Sequence, residues 1–541
     1  MRIILLLAVL LAGCANPYAD TIYTNAVVWT GNPDQPVAGA IATRGHDIIY
    51  VGDTLAVQGL LGERTRVVDL EGRFVVPGFI DNHTHFLSGG FNLASVQLRD
   101  VTNPEEFARR MGAFAATLEP GEWILGGDWD HEAWGGQLPE RAWIDSVTAD
   151  NPVLVSRLDG HMALANSRAL ELAGVSEETP VPDGGEIVVG ADGRLTGVLK
   201  DDAMDLVFRE VPAPTLEQRL EMLERAQDYA LSLGVTQIHD VGSYGGWADR
   251  EAFREAHKRD LLKLRVYSLV PVSTWERLEP GGDEYVWWGG LKGFVDGSLG
   301  STTALFYEPY LDDPSTSGLL VNDTTLLRQH ILAADAAGLH LAIHAIGDKA
   351  NDWLLDVYAQ AAARTEREDR RWRIEHAQHL TPEAIERFAA LGVVPSMQPY
   401  HAIDDGRWAE KRIGDRIETT YPFRSLLDAD AMLTFGSDWT VAPLNPLLGV
   451  YAAVTRRTID DANPGGWVPA QKITVQEALE SYTVRNAWAG FSDAFSGAIE
   501  PGLRADFVVL SRNLLEIDPE TIPDVRVMRT VIDGEEVFIR E

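Results

Sequence analysis

The central part of the chain alternates between short apolar runs and longer stretches whose apolar residues recur at helical spacing. Apolar runs of strand length occur at 290–297, 339–345, 372–377 and 431–438, and amphipathic segments separate them. This alternation is typical of repeated βα units, whose strands pair in parallel. It predicts an α/β protein with a (β/α)8 TIM-like barrel over residues 77–491.

Both ends of the chain show a different pattern, with short strand-like runs separated by turns. Residues 20–76 include such a run at 47–52, and residues 492–541 include another at 506–510. Short runs with turn residues between them indicate antiparallel β structure. We therefore predict a small β-sandwich domain built from both termini, residues 20–76 plus 492–541.

A long segment inside the predicted barrel exceeds what one βα unit needs. It spans residues 100–215 and is rich in Trp and Gly. We predict a large insertion over the barrel mouth here, a position from which loops often determine specificity. Capping boxes at Thr215 with Gln218 and at Thr474 with Glu477 predict helix starts.

Composition and net charge limit the class of protein and the kind of binding partner that we expect. The chain has 541 residues, of which 45% are hydrophobic and 23% charged, as expected for a soluble globular protein with a large core. Lys and Arg number 46 against 81 Asp and Glu, a net charge of −35. Such a surface repels polyanions, so we expect a small-molecule substrate and no nucleic-acid partner.

The first 19 residues have the features of a bacterial export signal. Residues 3–11 form an apolar run that is too short to span a bilayer. Residues 11–14 (Leu-Ala-Gly-Cys) resemble the lipobox of bacterial lipoproteins, and Cys14 is the only cysteine. The pattern predicts export to the periplasm with a lipid anchor on Cys14, and Ala15 favours the outer membrane. A cleaved signal peptide without lipid is the alternative.

Two histidines stand where the first barrel strand is predicted to end. His83 and His85 follow the apolar run that begins at Pro77. Side chains alternate along a strand, so residues two apart point to the same side. The active sites of barrel enzymes lie at the carboxyl ends of the strands, and the spacing of His83 and His85 would place two imidazoles together there.

Four further residues with ligand or acid–base chemistry end or interrupt apolar runs. Lys292 lies inside an apolar strand, where an unpaired ammonium is costly and needs a partner or a modification. His344, His376 and Asp438 each end a predicted strand, and an aspartate there can bind metal and accept a proton. The candidate set is His83, His85, Lys292, His344, His376 and Asp438.

The order His-x-His, Lys, His, His, Asp resembles the amidohydrolase superfamily, which consists of barrel enzymes with one or two divalent metals. Segment 497–507 resembles the entry into the small β domain of that superfamily. Segments 126–129, 159–161, 295–301 and 344–348 resemble the branch that includes N-substituted formamide deformylases. The resemblance covers nearly the whole chain and implies hydrolysis of an amide, N-formyl or N-acyl C–N bond by metal-activated hydroxide.

The resemblance also implies roles for these residues. The six would bind one or two divalent ions, and imidazole and carboxylate ligands suit zinc as well as manganese or iron. Lys292 would carry a CO2-derived carboxylate that bridges two metals. Lys200 is the other candidate for that modification, but it lies in the predicted insertion. Asp438 would act as the catalytic proton shuttle.

Four residues are predicted to contact the substrate. His161 would reach into the site from the insertion, and Trp129 would line an apolar pocket. Asp296 follows the strand that carries Lys292 and would orient a metal ligand or contact the substrate, and Gln398 ends the seventh predicted strand. The structural alternatives are a solvated loop histidine, a core aromatic and a turn aspartate.

The chemistry leaves other functions open. The same hydroxide would attack a lactone, a carboxylic ester or a phosphoester, so a lactonase, esterase or phosphoesterase is the alternative. A binding lipoprotein without metal is disfavoured, because all six positions hold residues able to bind one. The sequence does not determine the oligomeric state, which could be a monomer or a homodimer.

Overall fold

The computed structural model describes residues 18–243 and 245–541. Cys14 and nearly all of the predicted export signal lie outside the described residues, so export and lipid anchoring stay predictions. Within those two ranges, no helix has both the length and the apolarity needed to cross a membrane.

The centre of the molecule is a parallel sheet that nearly closes on itself. Its eight strands follow the chain order, and a backbone bridge between Thr84 and Trp439 brings the last strand next to the first. The predicted (β/α)8 barrel is confirmed. The strands are β1 Phe79–Thr84, β2 Val235–Asp240, β3 Arg265–Pro271, β4 Val286–Phe294, β5 His340–Ala345, β6 Arg373–His376, β7 Val394–Met397 and β8 Thr434–Phe435.

Helices alternate with these strands. Both predicted capping boxes are present, with Thr215 and Thr474 at the helix starts. The α-helices of the barrel are Phe86–Asn92, Leu216–Ser232, Trp247–Lys258, Thr324–Ala336, Asp348–Ala362, Pro382–Leu391, Pro399–Asp405, Ala409–Ile413, Phe423–Asp428, Pro446–Thr455, Val475–Tyr482 and Val484–Ala489.

The chain between β1 and β2 forms a second sheet with its own apolar core. Phe107, Trp129 and Ile144 are among the fully buried residues of that core. The strands, in their order across the sheet, are Gly185–Val189, Leu195–Asp201, Met162–Ala165, Val153–Arg157, Ile124–Trp129 and Val96–Gln97. The helices of this segment are Pro104–Ala115, Ser167–Ala173 and Asp205–Phe208.

Two further sheets are built from the chain ends and share an apolar core, in which Tyr23, Val75 and Phe507 are buried. The strand Phe507–Leu510 pairs antiparallel with Phe74–Pro77, so both termini contribute to one sheet. The four-stranded sheet has Asp47–Gly52, Ala40–Arg44, Thr21–Thr24 and Arg66–Asp69. The six-stranded sheet has Glu535–Ile539, Val527–Ile532, Phe507–Leu510, Phe74–Pro77, Val27–Trp29 and Val37–Ala38.

A buried ion cluster joins the terminal sheets to the barrel. Arg265 of β3 donates from Nε to Asp506 at 2.6 Å and from Nη2 to Asp533 at 2.5 Å. Its guanidinium is fully buried, and a buried charge is tolerated only when it is paired and hydrogen-bonded. The two carboxylates meet that requirement and fix the terminal sheets against the barrel wall.

Candidate metal centre

The carboxyl ends of the barrel strands surround a cavity of about 280 Å³. Loops of the insertion and the chain that follows β7 form its outer wall. All six residues predicted to form the metal site line this cavity: His83, His85, Lys292, His344, His376 and Asp438. Long-range folding therefore brings together residues that the sequence spreads over more than 350 positions.

His83 lies at the centre of the group and is fully buried. Its Nδ1 is hydrogen-bonded to the Glu375 carboxylate. Its Nε2 lies 3.2 Å from Lys292 Nζ and 3.5 Å from Asp438 Oδ1. Burial, together with the charge of Lys292, lowers the pKa of His83 to about 4. The imidazole is therefore neutral at neutral pH, as a metal ligand must be.

The other three histidines also use one ring nitrogen in a hydrogen bond to an oxygen acceptor. Because these oxygens accept, each bonded nitrogen carries a proton, and in a neutral ring the other nitrogen then has a free lone pair. Burial lowers the pKa of His376 well below its ordinary value, so that ring is neutral too. The contacts are His85 Nδ1 to Gly242 O at 2.7 Å, His344 Nε2 to Gly297 O at 3.0 Å and His376 Nδ1 to Gln398 Oε1 at 2.8 Å.

Asp438 brings an unpaired oxygen into the same space. Its backbone NH donates to His83 O at 2.8 Å, which fixes the residue beside β1. Its Oδ1 is buried, has no hydrogen-bond partner within residues 18–243 and 245–541, and lies 3.4 Å from His85 Nε2. Ligand atoms of His83, His376 and Asp438 all lie within 4.8 Å of one another.

This donor set fits a divalent cation. Unprotonated imidazole nitrogens facing a buried carboxylate oxygen have no proton to share, and a buried oxygen without a partner is costly. A divalent cation would bind both the imidazole lone pairs and the carboxylate oxygen. Nitrogen and oxygen ligands of this kind suit zinc, manganese or iron.

Behind the histidines, a buried ion pair fixes the orientation of His83. Arg373 donates from Nε to Glu375 Oε1 at 2.6 Å, and Ser396 Oγ donates to Glu375 Oε2 at 2.7 Å. Burial raises the pKa of the Glu375 carboxyl, but the Arg373 charge outweighs it and holds the pKa well below its ordinary value. Glu375 is therefore an anion, and it keeps the proton of His83 on Nδ1.

We expect Glu375→Gln to lower the affinity for divalent metal by about 10- to 100-fold, because a neutral amide holds the His83 proton less firmly. Competition with a metal chelator measures the affinity. Glu386→Gln, an exposed change on the helix Pro382–Leu391, is the control. Equal affinity in Glu375→Gln and the unaltered protein would show that Glu375 does not support a ligand.

Comparison with known proteins gives the family. The model of the amidohydrolase family matches residues 66–538. The chain belongs to the amidohydrolase family. Protein LONG AFTER FAR-RED 3 of Arabidopsis thaliana is 41% identical, over 96% of this chain and 92% of its own length. The N-substituted formamide deformylase of Arthrobacter pascens is 28% identical, over 95% of this chain and 97% of its own length.

A solved structure of similar architecture supports the assignment of the fold. An uncharacterised metal-dependent hydrolase from Pyrococcus horikoshii matches with a TM-score of 0.76 at 29% identity. The match covers 92% of this chain and 99% of that protein.

Of the two lysines considered for carboxylation, only Lys292 lies at this amidohydrolase site. It is 5% exposed on β4, and its Nζ lies 4.9 Å from the centre of the Phe294 ring. Burial lowers its pKa to about 8, although Glu375 opposes the shift. Lys200 instead pairs with Glu186 at 2.8 Å on the insertion sheet.

One of the four predicted substrate contacts lines the cavity. His161 reaches it from the insertion, and its ring centre lies 6.3 Å from that of His344. Its Nδ1 is 2.8 Å from Asp201 Oδ1. The backbone NH of His161 donates to Asp159, whose Oδ2 also accepts from Ser298 Oγ at 2.9 Å. Asp159 thus joins the insertion to the loop after β4.

The other three predicted contacts need correction. Trp129 is in the insertion core, where its Nε1 donates to Val155 O at 2.8 Å, because a large ring gains more from full burial than from a cavity wall. Asp296 does not line the cavity and accepts backbone NH groups from Leu305, Ile346 and Gly347. Its Oδ1 lies 3.4 Å from His344 Nε2, beside a candidate ligand. Gln398 orients His376 and does not line the cavity.

The outer wall contains charged residues that the sequence reasoning missed. Arg157 is buried and donates to Asp159 at 2.6 Å and to Asp130 at 3.3 Å. Arg407, in the chain after β7, also donates to Asp130 at 3.3 Å. The sequence signal for these charged residues was weak: segments 126–129 and 159–161 stood out beside them, but the ion pairs join residues far apart in the chain.

Proposed function

We propose that this amidohydrolase cleaves a C–N bond, of the amide, N-formyl or N-acyl type, in a small substrate. The observation that carries the proposal is the group of ligand atoms of His83, His376 and Asp438, all within 4.8 Å of one another, in a cavity of about 280 Å³. The similarity to an N-substituted formamide deformylase over nearly the whole chain supports the choice of bond.

The residues that would hold the metal are those that line the cavity floor. A bound divalent ion supplies Lewis acidity and lowers the pKa of water toward neutrality. The ligands would be His83, His85, His344, His376 and Asp438, with Lys292 beside them.

Asp438 is the residue we propose for proton transfer. Its Oδ1 has no hydrogen-bond partner in the described part of the chain, so it is available to accept a proton from the attacking water. The proton then passes to the leaving nitrogen, which departs as a neutral amine when the C–N bond breaks. The aspartate returns to its anionic form, so the residue is unchanged by the cycle.

We propose that Lys292 carries a carboxylate derived from CO2. Its Nζ is buried beside His83 Nε2, and a buried ammonium next to neutral imidazole is unfavourable. The neutral amine would add to the carbon of CO2 and release one proton, which gives an anionic carbamate. That product replaces a costly cation with an oxygen ligand.

A hydrolysis panel tests the bond assignment. The purified full-length protein, supplied with zinc, manganese or iron, is offered N-formyl and N-acyl amides beside carboxylic esters, lactones and phosphoesters. We expect turnover of amides at rates above those of the oxygen esters, and loss of the activity with a chelator. Metal-dependent turnover confined to esters, lactones or phosphoesters would support the alternative function and refute the C–N assignment.

A further inference from the structure

His401 is a buried polar residue of the cavity wall that the proposed chemistry does not use. It lies in the helix Pro399–Asp405, directly after β7, and is 8% exposed. Its side chain lines the cavity together with the metal-site residues. Its Nε2 is buried and has no hydrogen-bond partner among the described residues.

The neighbour on the other ring nitrogen determines where the proton lies. Gln378 Nε2 is 3.4 Å from His401 Nδ1, and an amide NH2 donates, so Nδ1 accepts. The proton of a neutral ring is then on Nε2, and a protonated ring carries one there as well. In either state Nε2 is an N–H donor, and no described residue supplies an acceptor for it.

The donor stands close to the reaction centre. The His401 ring is nearly parallel to that of His376, at 10°, and the two ring centres are 6.4 Å apart. His376 in turn lies 4.5 Å from His344 and 4.8 Å from His83, ring centre to ring centre. A small substrate in the cavity therefore lies within reach of both the metal-site residues and His401.

An unpaired buried N–H is unfavourable, and such groups are usually satisfied by a partner when the site is filled. The charged groups that influence His401 include Asp438, Asp404 and Asp159, yet none of them is bonded to Nε2. The missing partner is an acceptor, and the cavity is where a substrate would supply one.

We propose that His401 is a specificity-determining residue that donates a hydrogen bond from Nε2 to an acceptor oxygen of the substrate. The inference rests on the proposed hydrolase function and deepens it. It restricts the substrates to compounds with an oxygen acceptor near the scissile bond. A site built to donate rejects analogues that lack the acceptor, because its own N–H is then left unpaired.

Two substitutions test the role in turnover. His401→Phe keeps a flat ring but has no donor, and His401→Gln keeps an amide donor at similar reach. We expect His401→Phe to lower kcat/KM by about 10- to 100-fold with the metal content unchanged. His401→Gln should recover most of the loss. An unchanged kcat/KM in His401→Phe, or a loss that follows loss of metal, would overturn the proposal.

The tautomer provides a readout that is independent of turnover. Long-range 1H–15N spectra of the protein labelled with 15N-histidine, assigned by comparison with His401→Gln, report which ring nitrogen carries the proton. We expect the Nε2–H form, and a change toward Nδ1–H in Gln378→Glu, whose carboxylate accepts. An Nδ1–H tautomer in the unaltered protein would overturn the proposal even if the hydrolysis panel supports the bond assignment.

The two proposals fail in distinguishable ways. Turnover of esters but not amides refutes the C–N assignment, and the His401 variants are then compared on the esters. If no compound of the panel is turned over, the tautomer measurement alone decides whether His401 is a donor.

Discussion

Asp438→Asn is expected to lower kcat by about 10²- to 10⁴-fold, the usual contribution of a general acid–base residue. Asparagine has the same shape and tolerates the left-handed backbone of this position, where φ is 58°. Its amide oxygen cannot take and return a proton at neutral pH. Steady-state kinetics, with metal analysis of the same preparations, separate this effect from loss of the ion.

A matched control for this change exists on the surface. Asp430 is exposed and has a left-handed backbone with φ 63°, so Asp430→Asn makes the same chemical change away from the cavity. We expect Asp430→Asn to leave kcat unaltered, and Asp438→Asn to retain most of its metal. Normal turnover in a metal-loaded Asp438→Asn protein would remove Asp438 from its role in proton transfer.

His83→Ala is expected to lose metal and activity together. The change removes the imidazole whose Nε2 lies 3.5 Å from Asp438 Oδ1, and it leaves the buried Glu375 carboxylate without one of its partners. Losing a ligand costs more than losing the group that orients it, which alone changes affinity about 10- to 100-fold. Metal content after dialysis and the rate on the best substrate measure both effects.

His46→Ala is the control, because the His46 side chain is 65% exposed and lies in the turn between the strands Ala40–Arg44 and Asp47–Gly52. It should keep both metal and activity. A His83→Ala protein that is folded by circular dichroism, holds its full complement of metal and turns over normally would refute the site.

The barrel, and the grouping of the six candidate ligands at its mouth, could be predicted because both depend on local patterns. Apolar runs of strand length alternate with amphipathic segments, and His83 and His376 follow or end such runs. In a parallel barrel the carboxyl ends of all strands lie at one mouth, so residues far apart in the chain become neighbours there. The six candidate ligands could therefore be grouped from the sequence without knowing any individual side-chain contact.

The substrate contacts could not be predicted in the same way, because they depend on how one side chain packs. Trp129 and His161 both belong to the insertion, yet one is in its core and the other lines the cavity. Gln398 and His401 are three positions apart, and only His401 lines the cavity. Such differences follow from the path of the backbone and from long-range partners such as Gln378, which no local pattern reveals.

We propose that the six residues at the barrel mouth form a metal-dependent hydrolytic site. Plasma mass spectrometry of the purified full-length protein, after dialysis against metal-free buffer, tests this most directly. We expect one to two equivalents of zinc, manganese or iron per chain, and their loss in His83→Ala. Less than a tenth of an equivalent, with no activity restored by any of these ions, would contradict the account.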